Sequence, residues 1–309
     1  MIYTITLNPA LDKEYIVPKL STNKVLRSSS IQIDYGGKGF NVSRMLASLG
    51  TASIAVGFIG GATGETLRDG LEGMGIRTDF VEVSGETRTN VSVVSSDDEQ
   101  YIKVNEPGPT ISQEETNKLI SKIRNLVQLG DWWVMAGSLP PGTKTDIYAQ
   151  IISLINAGGA RAVLDTSGIP LKLGCSAGPF LIKPNIEEAE QATGLKSDAH
   201  ENLNKMIEVM HNMGVINIIL SAGKERSILS NGERQWVGTP PKIKEKNPTG
   251  AGDAMLAAIV YMLEKGDSIL NAFALGIASG SAAASQPGTG MACRSTVEKL
   301  LQKVIISEE

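Results

Sequence analysis

The sequence predicts an α/β fold built around a parallel β-sheet. Short apolar runs alternate along the chain with longer segments of helical periodicity, which is the pattern of repeated β–α–β units. The runs are apolar throughout, as expected of strands that are buried on both faces of a sheet. Strands are predicted at residues 2–7, 53–59, 132–136, 161–165, 180–183 and 215–220. Helices are predicted at residues 41–49, 114–128, 144–157, 202–213, 252–264 and 268–285.

The composition is that of an ordinary globular protein. A chain of 309 residues with 41% hydrophobic residues can bury a large core without disulfides. The net charge of −4 gives no global attraction to nucleic acid or to an anionic membrane, and no stretch approaches the ~20 apolar residues of a membrane span. Cys175 and Cys293 lie far apart without a CxxC partner, so neither a disulfide framework nor a zinc site is predicted. The first residues are typical of a strand rather than a signal peptide, and we expect one cytoplasmic domain over residues 1–309.

Two segments interrupt the alternation of strands and helices, at approximately residues 12–35 and 87–106. Both contain extended stretches in which polar and apolar residues alternate, the period of a half-buried strand. A further hairpin is predicted at residues 227–237, where Asn231-Gly232 is typical of a two-residue type I′ turn. We therefore expect β-structure outside the parallel sheet.

The segment at residues 87–106 predicts a hairpin with a polar tip. Val91 and Val93 fall on one face of this hairpin, and Arg88 and Lys103 fall on the other face if the apolar sides match. A ribbon that is apolar on one side needs a cover. Either the main domain or another subunit would supply it.

Residues 247–253 combine small residues with one carboxylate and lead directly into the apolar run at residues 254–260. The first amides of a helix have no partner inside the helix and lie at the positive end of its dipole, so this junction suits an anion such as phosphate. Asp253 stands beside those amides and could accept the proton of an attacking hydroxyl. A simple helix N-cap is the alternative interpretation of the same residues.

A second glycine cluster, at residues 36–43, carries Lys38 and leads into an amphipathic helix. It again combines a flexible backbone with a cation near a helix start. A turn with a solvated lysine is the alternative interpretation.

Together the two clusters resemble the two signatures of the PfkB carbohydrate kinases, within the ribokinase superfamily. Gly50 and Gly60 follow the first cluster at the intervals of the first signature, and residues 247–260 match the second signature position by position. The resemblance extends over nearly the whole chain and includes residues 6–12, 136–142, 183–188 and 280–284. It implies a ribokinase-like three-layer α/β/α sandwich with a small β-sheet lid, which the two interrupting segments would form. In related kinases such a lid often contributes to dimerisation, so a homodimer through the lid is expected.

The resemblance implies a role for each residue at the start of the second signature. Asp253 would be the catalytic base, and the amides of Gly250, Ala251 and Gly252 would form an anion hole for the γ-phosphoryl group of ATP. Physical chemistry agrees, because phosphoryl transfer depends mostly on positioning and on charge stabilisation.

Around the sugar, the resemblance places a carboxylate that accepts bonds from hydroxyl groups and several lining residues. These substrate residues are Asp12, Gly37, Lys38, Asn41 and Ser138.

The phosphate of the substrate itself needs cations. Arg88 suits it best, because a guanidinium binds phosphate in a bidentate fork. Lys38, Lys103 and Arg27 are further candidates, and Arg27 would reach the site across a dimer. For Arg27 and Lys103, a solvated surface charge is an equally good interpretation.

On the nucleotide side, the resemblance implies that Asn185 and Glu188 organise Mg²⁺ and its waters. The alternative is a helix start with an acidic first turn. The remaining ATP-binding candidates are Lys183, Ser221, Gly223, Gly250 and Gly252.

The expected activity is ATP-dependent phosphorylation of a ketohexose monophosphate, because the opening of the chain resembles the 1-phosphofructokinases and tagatose-6-phosphate kinases. Fructose 1-phosphate is the first expectation, tagatose 6-phosphate the second and fructose 6-phosphate the third. Lys38 favours the first two, whereas residues 280–290 resemble the minor 6-phosphofructokinases. The alternatives are a nucleoside or free-sugar kinase and a non-catalytic sugar-phosphate sensor. Arg88 and Lys103 argue against a neutral substrate, which would leave both cations unpaired.

Overall fold

The structure is a computed structural model that describes residues 1–98, 100–197, 200–286 and 290–309. Its strands are β1 (Ile2–Thr6), β2 (Ala10–Val17), β3 (Ser30–Gly36), β4 (Ile54–Ile59), β5 (Arg77–Glu82), β6 (Arg88–Ser95), β7 (Tyr101–Asn105), β8 (Trp132–Ala136), β9 (Arg161–Asp165), β10 (Leu181–Ile182), β11 (Asn217–Ala222), β12 (Arg226–Ser230), β13 (Gln235–Thr239) and β14 (Ile305–Glu308). Its helices are α1 (Lys38–Ser48), α2 (Gly61–Gly73), α3 (Gln113–Leu126), α4 (Ile147–Ala157), α5 (Gly168–Cys175), α6 (Ile186–Thr193), α7 (His200–Asn212), α8 (Ala251–Glu264), α9 (Ile269–Ala284) and α10 (Arg294–Leu301).

A ten-stranded sheet forms the centre of the molecule, in the order β14-β13-β12-β11-β10-β9-β8-β1-β4-β5. The strands from β11 to β5 in this order pair in parallel, whereas β12, β13 and β14 continue the sheet in antiparallel pairs. The predicted α/β fold with a parallel sheet is confirmed. In such a sheet the carboxyl ends of the parallel strands lie along one edge, where ligands bind.

Helices cover both faces of this sheet and produce three layers. One buried cluster joins the sheet to α3, α4, α5, α6 and α7, and a second joins it to α1, α8, α9 and α10. The second cluster contains the close approach of α8 and α9 that their alanine and glycine content predicts. A Cβ at Gly276 would lie 2.7 Å from Ile259 Cγ1, so only glycine allows this spacing. The three-layer sandwich predicted by resemblance is therefore confirmed.

A separate four-stranded sheet, here called the small sheet, has the order β3-β2-β6-β7. It contains both segments that interrupt the alternation in the sequence. In the β6–β7 hairpin, Val91 lies opposite Val104 and Ser92 lies opposite Lys103, so Arg88 and Lys103 share a face as predicted. Glu99, at the predicted tip, lies outside the described residues.

The predicted type I′ turn at Asn231-Gly232 is wrong. Ser230 pairs with Gln235, which leaves a four-residue loop at residues 231–234. The Asn231 side-chain oxygen accepts hydrogen bonds from the amides of Glu233 (3.0 Å) and Arg234 (2.8 Å). These side-chain hydrogen bonds stabilise the four-residue loop in preference to the two-residue turn.

Several elements had no clear signal in the sequence. The helix α2 contains glycines at positions 61, 64, 70 and 73, which lower its helix propensity. Gly70 is nevertheless required, because a Cβ there would lie 2.1 Å from the Tyr35 ring of the small sheet. Cys175 and Cys293 are free, as expected. None of the helices in the described part of the chain has the length and apolarity needed to cross a bilayer.

Candidate active site

Three adjoining cavities lie at the carboxyl edge of the central sheet. The charged cavity lies in the middle, beside the N-termini of α1 and α8, and shares Ser221 and Gly252 with an apolar cavity. On its other side it shares Gly37, Lys38 and Glu188 with a third cavity, here called the small-sheet cavity. Together they form a continuous path from an apolar slot to the small sheet.

The N-terminus of α8 forms one wall of the charged cavity. Gly250 caps the helix with a φ of 83°, a left-handed conformation that favours glycine. The amide of Ala251 donates to the carbonyl oxygen of Pro248 (3.1 Å), so the turn already engages one of the three amides predicted to hold a phosphoryl group. The amide of Gly252 belongs to the first turn, where the helix offers no partner.

Asp253 lies in this first turn and is only 5% exposed. Its Oδ2 accepts a hydrogen bond from Asn41 Nδ2 at 2.8 Å. Burial raises the pKa of the Asp253 carboxyl to about 6, and the nearby charge of Asp165 adds to this rise, whereas Lys38, Asn41 and Lys183 oppose it. A carboxylate with such a pKa is ionised at neutral pH and is a stronger proton acceptor than an exposed aspartate.

A buried carboxylate to which the sequence assigned no chemistry, Asp165, holds the two lysines of the charged cavity. Its Oδ1 lies 3.2 Å from Lys38 Nζ, and its Oδ2 lies 3.4 Å from Lys183 Nζ. Burial alone would raise the pKa of Asp165, but Lys183 and Lys38 outweigh burial and lower it. Burial alone would lower the pKa of Lys38, yet Asp165, Asp253 and Glu188 raise it. Lys38 therefore stays charged, and both lysines are held beside Asp253 by their contacts with Asp165. The signal in the sequence was the position of Asp165 at the carboxyl end of a predicted strand.

Asn41 was predicted to line the sugar pocket, and the structure engages both ends of its amide. Its Nδ2 bonds Asp253, and its Oδ1 accepts from Arg44 Nη1 at 3.3 Å. Sequence reasoning missed Arg44. Its position three residues after Asn41 on the same helix face was the available signal.

Arg88 is tied to the backbone where the chain enters and leaves the small sheet. Its Nη2 donates to the carbonyl oxygen of Asn8 (2.9 Å), its Nη1 to that of Glu106 (3.0 Å) and its Nε to that of Pro9 (3.4 Å). It lines the small-sheet cavity together with Ser138. The guanidinium therefore lines a cavity, although its donors are shared with main-chain oxygens.

Asp12, Lys103 and Arg27 line none of the three cavities. Asp12 Oδ1 accepts from Asn90 Nδ2 at 2.7 Å; burial raises the pKa of Asp12, and this bond and the charge of Lys103 oppose the rise. Lys103 is exposed on the same face of the small sheet, and Arg27 is exposed in the loop between β2 and β3. The single chain does not bring Arg27 to the site.

Asn185 and Glu188 form a capping box at the start of α6. The Asn185 oxygen accepts from the Glu188 amide (2.8 Å), and Glu188 Oε2 accepts from the Asn185 amide (2.9 Å). The motif therefore does form a helix start, the alternative interpretation given above. Both residues also line the charged cavity. Among the described residues, no three His, Cys, Asp or Glu side chains cluster so as to hold a metal ion.

The apolar cavity is shaped by loops and by two closely packed helices. A Cβ at Gly280 would lie 3.1 Å from the Ala251 carbonyl oxygen, and a Cβ at Gly252 would lie 3.1 Å from Lys183 Nζ. Such an apolar slot beside a helix N-terminus suits a flat ring with an attached phosphate chain. Residues lining it include Ser221, Gly223, Pro240, Pro241, Ile243, Met255, Ile277, Gly280 and Ser281.

Comparisons with known proteins agree with the fold and give the family. Residues 4–296 match the model of the pfkB family carbohydrate kinases. The chain is 34% identical over 310 residues to a 1-phosphofructokinase of Borreliella burgdorferi, covering 100% of this chain and 99% of that protein. It is 35% identical over 265 residues to a tagatose-6-phosphate kinase of Staphylococcus epidermidis, covering 84% of each chain. The solved structure of phosphofructokinase-2 from Escherichia coli in complex with potassium superposes with a TM-score of 0.93 at 30% identity, covering 98% of both chains.

Proposed function

The chain belongs to the pfkB family of carbohydrate kinases, and we propose that it transfers the γ-phosphoryl group of ATP to fructose 1-phosphate, giving fructose 1,6-bisphosphate. One observation carries the proposal. A buried carboxylate, Asp253, stands at a helix N-terminus where an apolar slot meets a cavity lined by cations. A nucleotide and a sugar phosphate that fill the two outer cavities would meet at this carboxylate.

In the proposed reaction Asp253 accepts the proton of the attacking sugar hydroxyl. The hydroxyl oxygen forms a bond to the γ-phosphorus, the bond between that phosphorus and the bridging oxygen breaks, and ADP leaves with the electron pair. The amides of Gly250 and Gly252, joined by that of Ala251 once it leaves the Pro248 carbonyl oxygen, stabilise the charge of the transferred group, and the two lysines held by Asp165 neutralise the phosphate chain.

The apolar cavity would hold the adenine ring, with Ser221 and Gly223 beside the nucleotide and Lys183 near its phosphates. The residues also fit Mg²⁺, because this ion retains several waters and takes few direct protein ligands. Glu188 and Asn185 line the charged cavity and would hold such an ion through its waters. When bound, Mg²⁺ supplies charge neutralisation on the β- and γ-phosphate oxygens.

The small-sheet cavity would hold the sugar phosphate, with the small sheet as the lid. Gly37, Lys38 and Ser138 line this cavity, and Arg88 supplies the guanidinium for the phosphate. Asp12 would bond sugar hydroxyls once the small sheet closes over the ligand, bringing Lys103 nearer.

The outer face of the small sheet supports a homodimer. Ile31, Ile33, Ile102 and Val104 are each about half exposed or more, on one apolar surface. A second copy packed on this surface would cover it and would bring the partner's Arg27 towards the site. We expect Ile102→Glu to give a monomer in light scattering, whereas Leu129→Glu, at an exposed position elsewhere, leaves the oligomer intact. A monomeric wild type would contradict the dimer.

Measuring ADP production with five acceptors tests the proposal: fructose 1-phosphate, tagatose 6-phosphate, fructose 6-phosphate, ribose and adenosine. We expect the highest kcat/KM with fructose 1-phosphate. Ribose and adenosine should be at least about a hundredfold poorer substrates, because they leave the half-buried Arg88 guanidinium without an anion. A preference for tagatose 6-phosphate, the substrate in the name of the Staphylococcus epidermidis relative, would change the acceptor but not the type of reaction. Binding of fructose 1-phosphate without turnover would instead indicate a sensor. The cytoplasmic location stays a prediction.

A further inference from the structure

One arginine outside the predicted site, Arg44, connects the catalytic carboxylate to the small sheet. It lies on α1, one turn after Asn41, and its side chain is 11% exposed. Its Nη1 donates to Asn41 Oδ1 at 3.3 Å, and its Nη2 lies 3.8 Å from Asp34 Oδ1 on β3. Asn41 in turn donates to Asp253 at 2.8 Å. The contacts form an unbroken chain from the small sheet to the proposed base.

The chemistry of the Arg44 side chain determines which end of the Asn41 amide faces Asp253. A guanidinium has donors only, whereas an asparagine amide carries a donor at one end and an acceptor at the other. Arg44 can therefore bond only the oxygen of Asn41, which leaves the Asn41 NH₂ group for Asp253. With this orientation Asp253 Oδ2 is occupied, and Oδ1 is the oxygen left for an incoming proton.

Asp34 explains why the arginine holds its position. Its carboxylate lies on β3 directly opposite Asp12 of β2, and its Oδ2 also accepts from Gln32 Nε2 at 3.0 Å. The two carboxylates place negative charge beside the mostly buried guanidinium, which a buried cation requires. A displacement of β3 would pull on Arg44 and would release the oxygen of Asn41.

We propose that Arg44 is a positioning residue, which fixes the Asn41 amide and thereby the Asp253 carboxylate and ties both to the small sheet through Asp34. This proposal rests on the proposed function only in taking Asp253 as the base, and it holds for any sugar-phosphate acceptor. Arg44 lines none of the three cavities and would act through Asn41.

Steady-state kinetics of Arg44 variants test this role with whichever acceptor the wild type phosphorylates. We expect Arg44→Met to lower kcat by about tenfold with the KM for ATP within twofold, because a misplaced reacting group costs rate rather than nucleotide binding. Arg44→Lys, which also offers donors only, should recover most of the loss. Arg44→Gln should not, because its amide can present either end to Asn41.

Two further measurements separate positioning from folding. In a double-mutant cycle, Asn41→Ala and Arg44→Met should lower kcat by no more together than Asn41→Ala does alone. A crystal structure of Arg44→Met should show the Asn41 nitrogen beyond hydrogen-bond distance of Asp253. Arg68→Met, which removes an arginine paired with Glu65 and Glu82 on the surface, is the matched control and should leave kcat unchanged.

Additive losses in the cycle, an equal loss in Arg44→Lys, or a loss confined to KM would overturn the proposal. If Arg44→Met fails to fold, Asp34→Asn provides the test from the other end. This variant keeps the shape of the side chain and should lower kcat severalfold. An unchanged kcat would show that Asp34 does not couple Arg44 to the small sheet. A wild type without turnover on any acceptor would refute the proposed function, whereas an active wild type with an unaffected Arg44→Met refutes only this inference.

Discussion

The two sides of the charged cavity hold their charges in different ways. On the α8 side, Asp253, Asp165, Lys38 and Lys183 contact one another or Asn41 within 2.8–3.4 Å, and three of the four are almost completely buried. On the small-sheet side, Arg88 is half-buried and spends its donors on main-chain oxygens, and Lys103 is exposed. The charged groups on the first side are therefore already held by one another. In the proposed reaction the groups for phosphoryl transfer would be in place, whereas recognition of the acceptor would need a ligand or a closing movement to complete it. This difference predicts that substitutions on the first side lower the rate and that substitutions on the second side weaken acceptor binding.

The largest effect is expected at the assembled side. Asp253→Asn should lower kcat by about a hundredfold or more, because the variant has no general base. The KM for ATP should change little. Initial rates measured at varied ATP and saturating acceptor give both constants. Near-normal turnover would show that Asp253 is not the general base.

On the other side, Arg88→Ala should raise the KM for the sugar phosphate by about tenfold or more, since a charge-assisted bond is lost. The KM for ATP should stay within about twofold. The same experiment with Arg68→Met controls for the loss of an arginine. Equal losses for both substrates would contradict the division between the two sides.

A smaller effect is expected from a methyl group at the junction of the apolar and charged cavities. In Gly252→Ala the new Cβ would lie 3.1 Å from Lys183 Nζ, so the lysine must shift. We expect kcat to fall by about tenfold or less, because the cation is displaced rather than removed. Wild-type kcat in this variant would show that the position of Lys183 does not limit the reaction.

A change of a different kind, in stability rather than rate, should run opposite to activity. The pKa of Asp253 is raised from 3.8 to about 6 in the folded protein, mainly by burial. The folded state therefore binds more protons than the unfolded state, and this contribution to stability is present below pH 3.8 and is lost as the pH rises through 6. At neutral pH the wild type therefore carries the free-energy cost of burying the ionised carboxylate, which Asp253→Asn removes. We expect it to raise the free energy of unfolding by up to about 3 kcal/mol at pH 7.5 and by about half as much at pH 5. Urea unfolding at the two pH values measures the difference, and a variant that is less stable at both would contradict the assigned cause.

The pKa of the same carboxyl also predicts how kcat of the wild type falls at low pH. Since Asp253 must be ionised to accept a proton, kcat should fall about tenfold per pH unit well below pH 6. A rate that stays constant down to pH 5 would show that the base titrates lower.

The central sheet and its helices could be predicted from the sequence because strand burial leaves a direct trace in hydrophobicity. The strands β8 and β9 begin and end at the predicted residues. The helix α2 could not be predicted, since its four glycines are explained only by tertiary contacts such as that of Gly70 with Tyr35. The four-residue loop at residues 231–234 depends on where one asparagine side chain bonds, which a dipeptide pattern does not contain.

At the site, the glycine clusters were visible because they combine unusual backbone requirements with single charged residues. Asp165 and Arg44 were not, because their importance depends on contacts that only the fold creates: Asp165 holds two distant lysines, and Arg44 acts through Asn41. Asp165 meets Lys38 across 127 residues, and Asn41 meets Asp253 across 212. Only the folded chain brings these groups together. The residue roles themselves stay predictions until the variants are measured.

The attachment of the small sheet concentrates at one side chain. Arg88 joins the carbonyl groups before β2 to the carbonyl group after β7 while standing at the first residue of β6. Three of the four places where the chain passes between the two sheets are thus fastened at one pivot. If the substrate's phosphate binds Arg88 as proposed, it would draw these donors away from the carbonyl groups and loosen the pivot. Binding of the ligand and closure of the small sheet would then both follow from the same exchange of hydrogen bonds.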